Sequence, residues 1–163
     1  MRFVACAAAT LLLILHFSAR AETPDEWVQL GTRIHGSFDG FIPAGIRIGL
    51  DAKERMRAEP RGLSILYYDG AKAPCPCMLD GVMLAIQASP GQGTLQIASA
   101  KAPPGLLAVI VIRDRRTGKG LRYSISDKWL STMLAWNHDE PIKRYEDAMA
   151  AEGLFSVEPY SNL

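Results

Sequence analysis

The stretch Arg33–Gly49, RIHGSFDGFIPAGIRIG, places His35, Asp39 and Arg47 among four glycines. An imidazole with a carboxylate four residues on can hold Zn²⁺ or another divalent ion. Farther along, Cys75 and Cys77 flank Pro76. A thiolate from Cys77, with or without Cys75, would add to a mixed N/O/S set of about three protein ligands, with one position open for water or a small ligand. Each of these residues also has a structural reading. His35 could sit at a helix C-terminus, where a partly positive ring is favoured. The cysteines could form a disulfide in an oxidising compartment, take a soft metal such as Cu(I), or supply one ligand beside an incidental neighbour. Their CxC spacing is not the CxxC of thioredoxin-type motifs. Arg47 could hold an anionic ligand or pair with Asp80, and Asp80 suits the first turn of a helix whatever its function. Gly91-Gln92-Gly93 could cradle an anion in a backbone nest or form a turn.

These residues need elements to position them. PDEWVQLGTRI, residues 24–34, reads as a helix capped by Thr23 with Pro24 in its first turn. Trp27, Leu30 and Ile34 share one face of it. A second helix is expected over 43–57, starting at Pro43, with Ile46 and Leu50 on one face and Gly45 and Gly49 beside them. Each interior glycine costs roughly 1 kcal/mol against alanine, so something must approach that backbone closely. Asp51 and Arg55 are spaced to pair on its outer face. LSILYY at 63–68 reads as a strand, MLDGVMLAIQA at 78–88 as a helix broken by SPGQG, and TLQIAS at 94–99 as a strand. LLAVIVI at 106–112 is apolar throughout, as a strand buried on both faces would be. LRYSI at 121–125 completes a hairpin across RDRRTGKG. A short helix follows, capped by Ser126. A last helix is expected to be capped by Asp139, with Pro141 in its first turn and Gly153 at its end. Glu140–Arg144 and Lys143–Asp147 have helical pair spacing. Trp129, Trp136 and Tyr145 read as packing, and His138 as part of a solvated helix start. The order predicts an α+β fold with a mixed, mostly antiparallel sheet of about four strands covered by helices.

Two blocks of residues carry a family resemblance. His35, Gly36, Gly45, Arg47 and Gly49 match the spacing of a motif close to HGHxCPGxxxGxRxG. Cys77, Asp80 and Gly81 in CMLDGV, followed by Gly91, Gly93 and Leu95 in GQGTL, match a second block. The pair, in this order, resembles the FmdE-like family, named for formylmethanofuran dehydrogenase, over about residues 25–125. The resemblance implies an α+β fold with a mixed sheet. It also implies a site in which the start of the third helix approaches the His35 loop. Departures fall on the ligand positions. Ser37 stands for the motif's second His, Asp39 for its Cys, Gly40-Phe41 for its Pro-Gly, and Gln87-Ala88 for a frequent Gly-Cys. No C-terminal zinc ribbon follows.

The chain of 163 residues fits one domain. Its start has the layout of a secretory signal peptide over residues 1–21: Arg2, an apolar run Val4–Phe17, then Ala19-Arg20-Ala21. That run is short for a membrane span, which takes about 20 residues. Cys6 lies near the start of that run, not after it, and would be discarded, leaving a single domain over 22–163. Without Arg2 and Arg20 the formal charge of +1 becomes −1, a balance that gives no electrostatic reason to expect nucleic acid. Two remaining cysteines are too few for a disulfide framework, so packing must hold the fold. The expected function is that of an exported, periplasmic accessory protein. It would bind a divalent metal ion, with zinc the leading candidate, or a small ligand at a partly changed site. The expected metal ligands are His35, Asp39, Cys77 and Cys75, and the expected ligand-binding residues are Arg47, Asp80, Gly91 and Gly93. The lean is away from catalysis. A small metal-dependent enzyme, with Asp39 or Asp80 as general base, and a redox accessory protein using Cys75 and Cys77 are the alternatives. A membrane contact is expected only through the signal peptide, and a homodimer is left open.

Overall fold

The computed structural model describes residues 21–59 and 61–161. The expected signal peptide, with Cys6 and the apolar run, lies outside them except for Ala21. Among the described residues no helix is long and apolar enough to cross a membrane.

Helix α1 (Pro24–His35) starts as the sequence predicts. Thr23 Oγ1 accepts from the Glu26 amide and Glu26 accepts from the Thr23 amide, a complete capping box. Its buried face differs from the expected one. Trp27 is buried, whereas Leu30 and Ile34 are exposed. The helix packs instead through Trp27 and Gly31, where Phe38 folds back onto the glycine.

Helix α2 (Phe41–Met56) begins two residues before Pro43, which falls within its first turn and costs no hydrogen bond there. Helix α3 (Met78–Ile86) lies against it with almost no spacing. A Cβ on Gly45 would stand 2.0 Å from the Met78 carbonyl oxygen, and one on Gly81 would stand 2.0 Å from that of Ile42. The close approach expected at Gly45 and Gly49 is therefore that of α3. Gly49 faces Ala85 there.

The strands are β1 (Leu63–Asp69), β2 (Leu95–Ile97), β3 (Leu106–Asp114), β4 (Gly120–Ser126) and β5 (Ser156–Tyr160). They form one sheet in the order β2-β1-β3-β4-β5, with β1/β2 parallel and the other pairs antiparallel. The mixed, mostly antiparallel α+β sheet is as expected, with five strands instead of four. The missed strand, β5, has the sequence SVEPY, whose alternation is broken by a proline that only an edge position tolerates. Central β3 is buried on both faces. Ala108, Ile110 and Ile112 join the core under α2 and α3, while Val109 and Val111 meet Ala102 on the other side. Tyr123 of β4 donates to Asp51 of α2 at 2.7 Å, and burial pushes its phenol well above the usual range. Asp51 also takes the expected bond from Arg55, at 2.7 Å.

Ser126 caps a short 3-10 turn that runs into α4 (Leu130–Trp136), as expected. Helix α5 (Pro141–Ala150) departs from its prediction at both ends. Glu140 is the N-cap residue and makes no side-chain cap, and the helix stops at Ala150, because Ala151 turns extended before Gly153. Lys143 and Asp147 pair as predicted, but Arg144 turns away from Glu140 and donates to three backbone carbonyls.

Candidate metal centre

The site is built where the end of α1 meets the start of α3. His35 is the last residue of α1, and Gly36 ends the helix at φ 91, a left-handed conformation that glycine takes without strain. The chain then reverses through Ser37–Gly40 into α2. Asp39 in that loop is oriented by its own backbone: Oδ1 accepts from the Phe41 amide at 2.9 Å, which leaves Oδ2 to face His35. The loop is tied down from the far end of the chain. Arg144 donates to the carbonyls of Phe38 at 2.6 Å and Asn137 at 3.1 Å, and Asn137 Oδ1 accepts from the Gly40 amide at 2.8 Å.

The imidazole of His35 is bracketed by two carboxylates. Nδ1 lies 2.8 Å from Asp80 Oδ2 and Nε2 lies 3.2 Å from Asp39 Oδ2. Asp80 sits in the first turn of α3, where the helix dipole favours its charge. Cys77, the residue before α3, completes the group: a ring nitrogen of His35, a carboxylate oxygen of Asp39 and Cys77 Sγ lie within 4.8 Å of one another. The side chains of His35 and Asp39 are 22% and 20% exposed, so the group is partly screened from water but open to entry.

Imidazole nitrogen, carboxylate oxygen and cysteine sulfur suit a borderline ion such as zinc. Asp80 strengthens the fit. A carboxylate on the ring nitrogen that does not bind the metal fixes the ring's orientation and raises its basicity as a ligand. One feature opposes it: Cys77 is bonded to Cys75 in a disulfide. The thiolate is the metal ligand form of cysteine, so in this state the group offers two ionic or nitrogen donors and a tied-up sulfur.

The chain's residues 34–156 match the model of the FmdE family, described as molybdenum formylmethanofuran dehydrogenase operon. The chain belongs to the FmdE family. No curated protein matches it in sequence.

Within this FmdE chain the structure brings together four of the expected site residues, His35, Asp39, Cys77 and Asp80, with Cys75 bonded behind Cys77. The expected pairing of Arg47 with Asp80 does not form. Arg47 donates to the Ala148 carbonyl at 2.8 Å and also to that of Ala151, and lies over the Phe155 ring. It anchors the C-terminal segment to α2, while Asp80 pairs with His35. Gly91 lies in an exposed 3-10 turn capped by Ser89, with Gly93 ending it at φ 64. Gly93 lines a cleft with Ser64, Arg113 and Lys119, apart from the His35 group. His138 is exposed, as expected for a solvated helix start. The roles of Asn137 and Arg144 carried no sequence signal, since their partners lie 97 and 106 residues away.

Proposed function

We propose that this FmdE-family protein is an exported accessory protein that binds one divalent metal ion, zinc above others, through His35, Asp39 and Cys77. The observation that carries the reading is the three-residue convergence with Asp80 behind His35. An ion there would take the place of the direct contact between His35 Nε2 and Asp39. Bound zinc would supply a Lewis-acidic centre with an open position for water or a small ligand. A catalytic role is the weaker reading. A general base needs a carboxylate free to take a proton. Asp80 is engaged by His35, and Asp39 by His35 and the Phe41 amide. Export rests on the layout of residues 1–21 and would place the domain in the periplasm or outside the cell.

The test is metal content by mass spectrometry on protein purified from periplasm without a His tag, beside His35→Ala. Near-stoichiometric metal in the first and none in the second is the expected result. A wild-type protein that carries no metal, and whose melting temperature no divalent ion moves, would overturn the reading.

A further inference from the structure

The centre contains its own obstacle. Of its three donors, the sulfur is the one that prefers zinc most specifically, and it is held in a covalent bond to a residue two positions away. The two sulfurs differ in exposure. Cys77 is 5% exposed and faces His35 and Asp39, whereas Cys75 is half-buried and reachable between the exposed Pro74 and Pro76. A reductant arriving from solvent meets Cys75 first.

We propose that the Cys75–Cys77 disulfide is a redox gate on the metal centre, opened by a dithiol partner that attacks Cys75. This rests on the metal-binding reading above. In the first step a thiolate of the dithiol forms a bond to Cys75 Sγ. The Cys75–Cys77 bond breaks and its electron pair leaves with Cys77 Sγ as a thiolate, inside the group of His35 and Asp39. In the second step the other thiolate of the dithiol attacks its own sulfur in the mixed disulfide. Cys75 leaves as a thiolate that takes a proton from water, and the partner leaves as a disulfide. Two electrons have moved from the partner to the pair. A divalent ion then captures the Cys77 thiolate, and without an ion that sulfur takes a proton. Oxidation by a disulfide partner runs the sequence backwards and withdraws the ligand.

Linkage makes the gate reciprocal. If reduction tightens metal binding by a factor of ten or more, saturating metal must raise the reduction potential of the disulfide by ~30 mV for each factor of ten. Metal should therefore protect the pair from oxidation as strongly as reduction favours metal.

The experiment uses the whole mature chain in two states, oxidised and dithiol-reduced under anaerobic conditions. Alkylation and mass spectrometry count the free thiols in each. Zinc is titrated against a competing chelator, and cobalt(II) is added to read thiolate-to-metal charge-transfer absorption. We expect at least tenfold tighter zinc in the reduced state, with the cobalt band only there. Cys75→Ser should bind tightly whether or not oxidant is present, and reduced His35→Ala should bind at least tenfold more weakly than reduced wild type. Equal affinity in both states, with thiol counts of zero and two verified, would overturn the gate while leaving a His35/Asp39 metal site standing. Absence of binding in either state would overturn both. Reduced His35→Ala binding as tightly as reduced wild type would reassign the metal to the cysteine pair alone and overturn a gate on the His35 centre.

Discussion

Helix α3 belongs to two regions built on opposite terms. Along its length it meets α2 through Gly45, Gly49 and Gly81, at distances that leave no room for a single added carbon. At its first turn it meets the His35 loop through a few polar contacts among partly exposed side chains. Gly45 and Gly49, which match the resembled motif, lie in the seam; Ser37 and Asp39, which depart from it, lie at or beside the polar corner. Backbone-to-backbone packing tolerates no extra volume, because the neighbour is a carbonyl that cannot rotate away. A polar corner held by side chains can exchange Cys for Asp39 and keep its shape. Phe41, one of the departures from the resembled motif, is buried in the main core.

The sharpest way to break this contrast is to put a methyl into the seam. Gly81→Ala would set its Cβ against the Ile42 carbonyl, and we expect a loss of about 3–5 kcal/mol, within the range of the most damaging core substitutions. Thermal and denaturant unfolding check it. A loss under about 1 kcal/mol would mean that the seam is as adaptable as the corner.

In the corner the expected effects fall on binding, not folding. Asp80→Asn keeps the volume but weakens the support of the His35 ring. It should cost 10–100-fold in metal affinity, the usual range for such outer partners, with unfolding stability changed by less than about 1 kcal/mol. Isothermal titration of the reduced protein with zinc measures the first and thermal unfolding the second. A loss of stability as large as that of Gly81→Ala would place Asp80 in the scaffold.

Arg144 tests how the corner is held from behind. Arg144→Met removes its donations to Phe38, Asn137 and Asp139 while keeping a long apolar stem. The expected cost is about 1–2 kcal/mol, as for partly buried carbonyls left without a charged donor. Hydrogen exchange should then rise in residues 36–40 and not in the α2–α3 seam. Uniform exchange across the domain would show that the loop and the seam open together.

How far the sequence could be read follows the same division. The glycine spacing in α2 predicts a close neighbour, and α3 is there. Local signals are legible in most places where the partner is a few residues away: the Thr23 cap, the Asp51–Arg55 and Lys143–Asp147 pairs and the Ser126 cap form, whereas the Asp139 cap and the Glu140–Arg144 pair give way to backbone partners of Arg144. Long-range partnerships are not. The sequence offers Arg47 as a partner for Asp80, but Asp80 pairs with His35 across 45 residues. No periodicity carries that information. The apolar stripe of α1 misleads for a related reason, since a helix on the rim of the domain buries what its neighbours reach, here Trp27 and Gly31, and leaves Leu30 and Ile34 outside. The state of the cysteines is open in the sequence because two residues of spacing permit a bond without requiring it.

The smallest effect lies at the other end of α3, where Gln87 is the C-cap residue. Gln87 ends the helix at φ 57 and ψ 36, and its amide donates to the Leu84 and Met83 carbonyls. A residue with a Cβ loses roughly 1 kcal/mol or more in that left-handed conformation, while glycine would lose more freedom on folding. Gln87 is exposed, so little packing of its side chain offsets the strain. Gln87→Gly should therefore stabilise the domain by up to about 1 kcal/mol, read as a higher denaturant midpoint with an unchanged slope. Zinc affinity of the reduced protein should stay as it is, because the substitution lies a helix length from Cys77 and Asp80. A changed affinity would show that the two ends of α3 are coupled through the seam, and that the corner is less independent of its scaffold than its polar contacts suggest.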